Sequence, residues 1–285
     1  PYLSKELVRY FPNALQERFA QDMENHRLRR EIIATAVTNS TVNRMGATFL
    51  LRMQEDTGQS PAQIAKAFTI SREVLEAREL WAGIDALDLK VSETAQLEAL
   101  TSIWQLQRNL TRWLLNRPGE VLNIAEKVER YAGGVAELRA SLDRVLPEAA
   151  RAELAADVAR WQGNGYPEDM ARAFASLPFL AYALDIVEVA IERSLPVAEV
   201  AATYFSLSDA LHTKWLMDAV EALPVGGRWH AQARGVLRDE LQAQQRALVG
   251  QVLAFGGRGA KPQARVDQWL ERDDTVLKVT LAMLA

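Results

Sequence analysis

The chain has 285 residues, is 49% apolar and 25% charged, and carries a formal net charge of −4 from 33 basic and 37 acidic side chains. These values exclude a disordered or collagen-like polymer, and they give no whole-chain attraction to a phosphate backbone, so nucleic acid is not expected as a partner. The chain contains no cysteine, which rules out disulfides and thiolate metal or redox chemistry.

Uncharged runs reach 12 residues, at 32–43 and 173–184. A membrane-spanning helix needs about 20, so no membrane partner is expected and the location is read as cytoplasmic. The chain opens on Pro1 without a Met, which reads as a piece of something longer.

Apolar residues recur at spacings of three and four almost throughout, with Gly and Pro as punctuation. The expectation is an all-α fold, a multi-helix bundle of about ten to twelve helices with no sheet. Pro12 opens a short helix to about Glu24. A long helix is predicted next, over 28–56 and stopped by Gly58. Ser60-Pro61 is a cap followed by Pro at the first helical position, so another helix starts there. Ser71 reads as the cap of one running to Leu87.

Ser92 caps a helix to Arg117 with the stripe Leu100, Ile103, Leu106, Leu110 and Leu114, and Pro118-Gly119 stops it. Gly133-Gly134 is expected to divide two helices over 120–131 and 135–145. Pro147 starts another, ended by Gly163-Asn164-Gly165. Pro167 starts a long one that Pro178 should kink or split. Pro196, Ser208, Arg228 and Pro262 mark the last starts. The weakest joint, near 116–120, divides a helical sub-domain 1–117 from a helical bundle 118–285.

Sites for chemistry are scarce in the sequence. The three histidines, His26, His212 and His230, stand far apart, and the nearest approach to a Glu-x-x-His metal motif is Asp209-Ala-Leu-His212. Gly257-Arg258-Gly259 lacks both a preceding strand and the third glycine of a dinucleotide loop. No catalytic, cofactor-binding or metal-binding residue is assigned. The clusters Glu126/Arg130 and Glu73, Glu76, Glu79 with Arg72 and Arg78 read as solvated ion pairs on helix surfaces.

One stripe stands out in the long second helix. Ile32, Ala36, Asn39, Asn43, Gly46 and Leu50 share a face, beside a second stripe of Val42, Met45, Phe49 and Met53. Two amides on that face are expected to be buried, hydrogen-bonded and register-fixing. Asn39, Asn43, Arg44 and Gly46 are therefore the candidate structural or pocket residues, with Gly46 allowing close helix approach.

From about Tyr10 onward the order of residues also resembles a known family. The stretch Leu28-Arg29-Arg30-Glu31-Ile32-Ile33-Ala34-Thr35 leads into Asn39 and Val42-Asn43-Arg44-Met45-Gly46-Ala47-Thr48-Phe49. Then come Gln54-Glu55-Asp56-Thr57-Gly58, Ser60-Pro61-Ala62-Gln63-Ile64-Ala65, Arg72-Glu73-Val74 and Glu79-Leu80-Trp81. Arg112-Trp113-Leu114-Leu115, Arg228-Trp229-His230 and Leu237-Arg238-Asp239-Glu240-Leu241 follow. These resemble the C-terminal helical region of the large bacterial NAD-specific glutamate dehydrogenases.

The resemblance implies a full-length enzyme that oxidises L-glutamate to 2-oxoglutarate and ammonia with NAD, in glutamate catabolism. Its catalytic and nucleotide-binding motifs would lie upstream. This region would then carry no cofactor and be inactive alone. It would be a scaffold packed on the upstream catalytic domain of the same chain, in a homo-oligomer. The alternatives are a regulatory domain binding an amino acid or nucleotide, and a free-standing helical adaptor. A scaffold cut from its surroundings should expose an apolar patch on helix 28–56 or near the first helix.

Overall fold

A computed structural model describes residues 2–117, 121–255 and 261–272. The regular structure among these residues is entirely helical, in sixteen α-helices. The expected stop at Pro118-Gly119 and the Gly257-Arg258-Gly259 stretch lie outside the described residues. The chain forms two compact units, passing from one to the other at 79/80, 102/103 and 130/131.

The first unit opens with α1 (Ser4–Tyr10), α2 (Asn13–Gln16) and α3 (Ala20–Glu24). The single helix expected from Pro12 to Glu24 is thus two short ones. The long helix expected over 28–56 also breaks, into α4 (Arg29–Met45) and α5 (Phe49–Thr57). Gly46 makes the break: it caps α4 at φ +90°, a backbone region that L side chains resist. A Cβ added there would meet nothing within 4 Å, so this glycine serves the turn and not a close helix approach. The Trp104 indole donates to the Met45 carbonyl at 3.1 Å, satisfying one of the acceptors that the break exposes.

Next comes α6 (Pro61–Val74), where the Ser60 hydroxyl accepts from the Gln63 amide as its sequence predicts. Ser71 is not a cap. It lies inside α6, buried, with its hydroxyl 3.0 Å from that of Thr111. The turn comes instead at Glu76, a non-glycine residue at φ 54°, before α7 (Ala77–Ala86).

The helix predicted from Ser92 is α8 (Glu93–Leu115), and Ile103, Leu106, Leu110 and Leu114 of its stripe are buried. Its polar residues Gln107 and Thr111 are buried too. Gln107 donates to the Phe68 carbonyl at 3.4 Å and Thr111 to the Gln107 carbonyl at 2.7 Å.

In the second unit the expected division at Gly133-Gly134 does not occur. One helix, α9 (Ile124–Val145), runs through both glycines. A Cβ on Gly134 would stand 2.7 Å from Val187 Cγ1, so the glycine admits a neighbouring helix there without bending its own. Helix α10 (Glu148–Gly163) begins after Pro147 and α11 (Glu168–Leu180) after Pro167, both as predicted. Trp161, Tyr166 and Phe174 form a ring cluster between them, with centroids 4.9–5.5 Å apart.

Pro178 lies inside the last turn of α11, and the long helix expected from Pro167 splits just beyond it. The chain turns at Ala181–Tyr182, and α12 (Ala183–Arg193) leaves at 67° to α11. That bent pair would pass a test of length and hydropathy for a membrane span, but α12 is largely buried within its unit; no single helix among the described residues is long and apolar enough to cross a membrane.

After Pro196 comes α13 (Val197–Ala210), which contains Ser208 and does not start at it. His212, at φ 52°, precedes α14 (Thr213–Glu221). Helix α15 (Arg228–Ala254) begins just after Gly226-Gly227, and α16 (Pro262–Arg272) begins at Pro262.

Candidate ligand cavity and buried charge clusters

In the first unit three of the residues read as surface ion pairs, Arg72, Glu73 and Arg78, join a largely buried cluster with Glu6, while Glu76, Glu79, Glu126 and Arg130 are exposed as expected. Arg72 on α6 is 1% exposed and Glu6 on α1 is 6% exposed. Glu6 Oε1 accepts from Arg72 Nη2 at 2.7 Å and from Arg78 Nη2 at 2.6 Å. Glu73 Oε1 accepts from Arg72 Nε and Nη2 at 3.0 and 2.8 Å, while Arg72 Nη1 donates to Ser40 Oγ of α4 at 3.1 Å.

The guanidinium fork is engaged at all three nitrogens, as a charge held in so low a dielectric requires. Burial pushes the Tyr2 phenol up, and the Glu73 carboxylate adds to that. The arrangement ties α1 and α4 to α6. A smaller tie, Arg112 to Asp56 at 3.1 Å, holds α8 to the end of α5.

The expected burial of Asn39 and Asn43 is not found: both are exposed, as is Gly46, and Arg44 is half-buried. The buried face of α4 is Val37, Thr41 and Met45 instead, continued by Phe49 and Met53 on α5. Met45, Phe49 and Met53 of the second stripe are buried and its Val42 is half-buried; their large apolar side chains favour this face, since more apolar area removed from water is more stabilising. Thr41 is satisfied locally by donating to the Val37 carbonyl at 2.8 Å.

In the second unit two carboxylates are buried on α12. Asp185 accepts from Arg246 of α15 at 2.9 Å, and Glu188 accepts from the Tyr131 hydroxyl of α9 at 2.8 Å. Beside Asp185 lie two tyrosines, with Tyr182 and Tyr204 ring centroids 5.4 Å apart. Burial, then the Asp218 and Asp185 charges, push the Tyr182 phenol up to about 12. Burial pushes Tyr204 well above its ordinary value, with Asp185 and Tyr182 adding to it.

The outer side of this aromatic layer is a cavity of about 280 Å³. Its base is Phe179 and Tyr182 at the α11–α12 bend, with Phe205 of α13, whose ring meets Phe179 edge-on at 6.1 Å. One wall is the first ten residues of α10, presenting Ala150, Glu153 and Asp157. The other is the α13–α14 turn, presenting Ser208, Asp209, His212, Lys214 and Trp215. Two helix breaks therefore build the site.

Lys214 pairs with Glu153, and Asp157 accepts from Arg160 at 3.1 Å. The Ser208 and Thr213 hydroxyls, 2.5 Å apart, pin the turn. In the sequence Asp209 and His212 form only an incomplete metal motif, and the aromatic residues that complete the cavity come from three helices.

The other two histidines have local backbone roles. His26 Nδ1 accepts from the Leu28 amide at 3.1 Å and His230 Nδ1 from the Gly226 amide at 3.2 Å. No group of three or more metal-ligating side chains is assembled among the described residues.

The family described as "Glutamate dehydrogenase, C-terminal" matches residues 1–285. The chain belongs to that family. The NAD-specific glutamate dehydrogenase of Pseudomonas aeruginosa is 35% identical over 283 residues, which is 99% of this chain and 18% of that protein. That of Halomonas elongata is 32% identical over 270 residues, covering 95% and 17% of the two chains. The Mycobacterium tuberculosis protein of the same description is 32% identical over 266 residues, covering 93% and 16%.

The chain thus spans less than a fifth of each of these relatives. As a member of the glutamate dehydrogenase C-terminal family it is all-α among the described residues, as the resemblance implied.

Proposed function

We propose that this chain is a non-catalytic scaffold and assembly region of an NAD-dependent glutamate dehydrogenase, which converts L-glutamate, NAD and water to 2-oxoglutarate, ammonia and NADH. The observation that carries the reading is the match to a C-terminal glutamate dehydrogenase family along all 285 residues, in relatives several times longer. The upstream catalytic domain of the same chain is its partner, NAD is bound there, and the whole enzyme is a cytoplasmic homo-oligomer. The structure supports a scaffold in how its charge is used: Arg72, Arg112, Asp185 and Arg265 are buried and tie one helix to another.

The exposed apolar side chains fit assembly only partly as the sequence reading placed them. Tyr10, Leu15, Phe19 and Leu28 lie near the first helix, but helix 28–56 adds only Leu51 besides Leu28. Trp215, Leu223, Val225, Trp229, Val236 and Leu237 are a second exposed set, along α14 and the start of α15.

Deleting this region from the full-length enzyme is expected to abolish activity and the native oligomeric mass, read by glutamate-dependent NADH formation and light scattering. A truncated enzyme that keeps both overturns the scaffold. The cavity on α10, α11, α13 and α14 favours a second role beside it, that of a regulatory ligand site.

A further inference from the structure

We infer that the cavity between α10, the α11–α12 bend and the α13–α14 turn binds a small organic cation, an ammonium or guanidinium group carried on an apolar body. Such a site deepens the regulatory reading above, on which only its effect on catalysis rests. Phe179, Tyr182, Phe205 and Trp215 line it with aromatic rings, and a ring face attracts a cation within about 6 Å through its quadrupole. The same faces disfavour an anion.

The titratable groups on the walls point the same way. Glu153, Asp157 and Asp209 stand against Lys214 as the one ammonium, with His212 beside it. Glu153 is paired with Lys214 and Asp157 with Arg160, so the charge left uncompensated on the lining is the Asp209 carboxylate, beside His212.

Volume narrows the class further. About 280 Å³ is close to the lower end of the roughly 300–1,000 Å³ usual for ligand sites. That suits an amine-sized molecule, while a nucleotide would be too large and would bring phosphate to an acidic rim. The site is also held in place before any ligand arrives. His212 sits at φ 52° without being glycine, in a turn closed by the Ser208–Thr213 contact.

The test uses the full-length protein with two probes of similar size and opposite charge, phenethylamine and phenylpropionate, read by hydrogen exchange with mass spectrometry. Phenethylamine is expected to slow exchange over 205–216, and phenylpropionate is expected not to. Asp209→Asn and Trp215→Ala change exposed side chains, so both variants should fold; each is expected to weaken phenethylamine protection about fivefold or more.

Equal protection by both probes, no protection over 205–216, or variants that match the wild type would each overturn the cation site. Protection at 205–216 with no change in glutamate oxidation upholds the site and removes the regulatory reading.

Discussion

The two units set their buried charge in different surroundings. In the first, Arg72 is enclosed by Glu6, Glu73 and Ser40, so one guanidinium joins three helices. In the second, Asp185 and Glu188 are each held by a partner from another helix, and the aromatic layer above Asp185 faces a cavity. The first unit's cluster sits where the 7-residue α1 meets the longer α4 and α6, and it holds the short helix by charge in addition to its small apolar face. The second has longer helices interrupted by bends at Tyr182 and His212, and such bends separate helix ends enough to leave space. Buried polarity therefore ties helices in both units, and in the second it also lies beside a cavity.

The largest effect should come from breaking the first unit's cluster. Arg72→Met leaves a buried Glu6 short of a partner and is expected to cost about 3–5 kcal/mol in urea denaturation. Replacing both partners, as Glu6→Leu with Arg72→Met, should cost less than the single change. A double variant worse than the single would show that the pair is more than a compensated burial.

The counterpart in the second unit is alkaline sensitivity. The Tyr182 phenol is raised from 10.0 to about 12 in the folded chain, so the unfolded chain loses its proton first. The resulting stability is complete below pH 10 and is lost as pH rises through about 12, on the order of 2 kcal/mol. Thermal midpoints measured across this range should fall, and Tyr182→Phe should flatten the fall. Parallel profiles for wild type and Tyr182→Phe would assign the alkaline loss elsewhere.

Adjacent glycines on α9 give a sharper contrast. Gly134→Ala pushes a methyl to 2.7 Å from Val187 and is expected to destabilise by about 1–3 kcal/mol. Gly133→Ala meets nothing within 4 Å and should stabilise by about 0.5–1 kcal/mol through helix propensity. Calorimetric midpoints moving the same way for both would contradict the close helix approach at Gly134.

The smallest effects separate cap from stripe on α4. Gly46→Ala, at φ +90°, should cost about 1–2 kcal/mol. Asn43→Ala, on the exposed face, should stay within about 0.5 kcal/mol of wild type. A cost for Asn43→Ala comparable to that for Gly46→Ala would restore the amide to the core.

The sequence by itself determined the helical class and many of the helix ends. Ser60-Pro61, Ser92, Pro147, Pro167, Pro178, Gly227 and Pro262 act through local backbone constraints, which need no distant partner: a fixed φ, a missing N–H, a capping oxygen. The same local order carried the resemblance to the glutamate dehydrogenase C-terminal family.

Only the tertiary structure decided which face of α4 turns inward, because two stripes one residue apart differ by a rotation that packing alone selects. It decided that Gly134 belongs inside a helix, since the reason is Val187, more than 50 residues away. It also decided that Arg72 is a buried tie, because Glu6 reaches it across 66 residues of chain. The cavity was illegible for the same cause. Its walls come from α10, α11, α13 and α14, and no window of sequence holds Glu153, Phe179, Phe205 and Trp215 together.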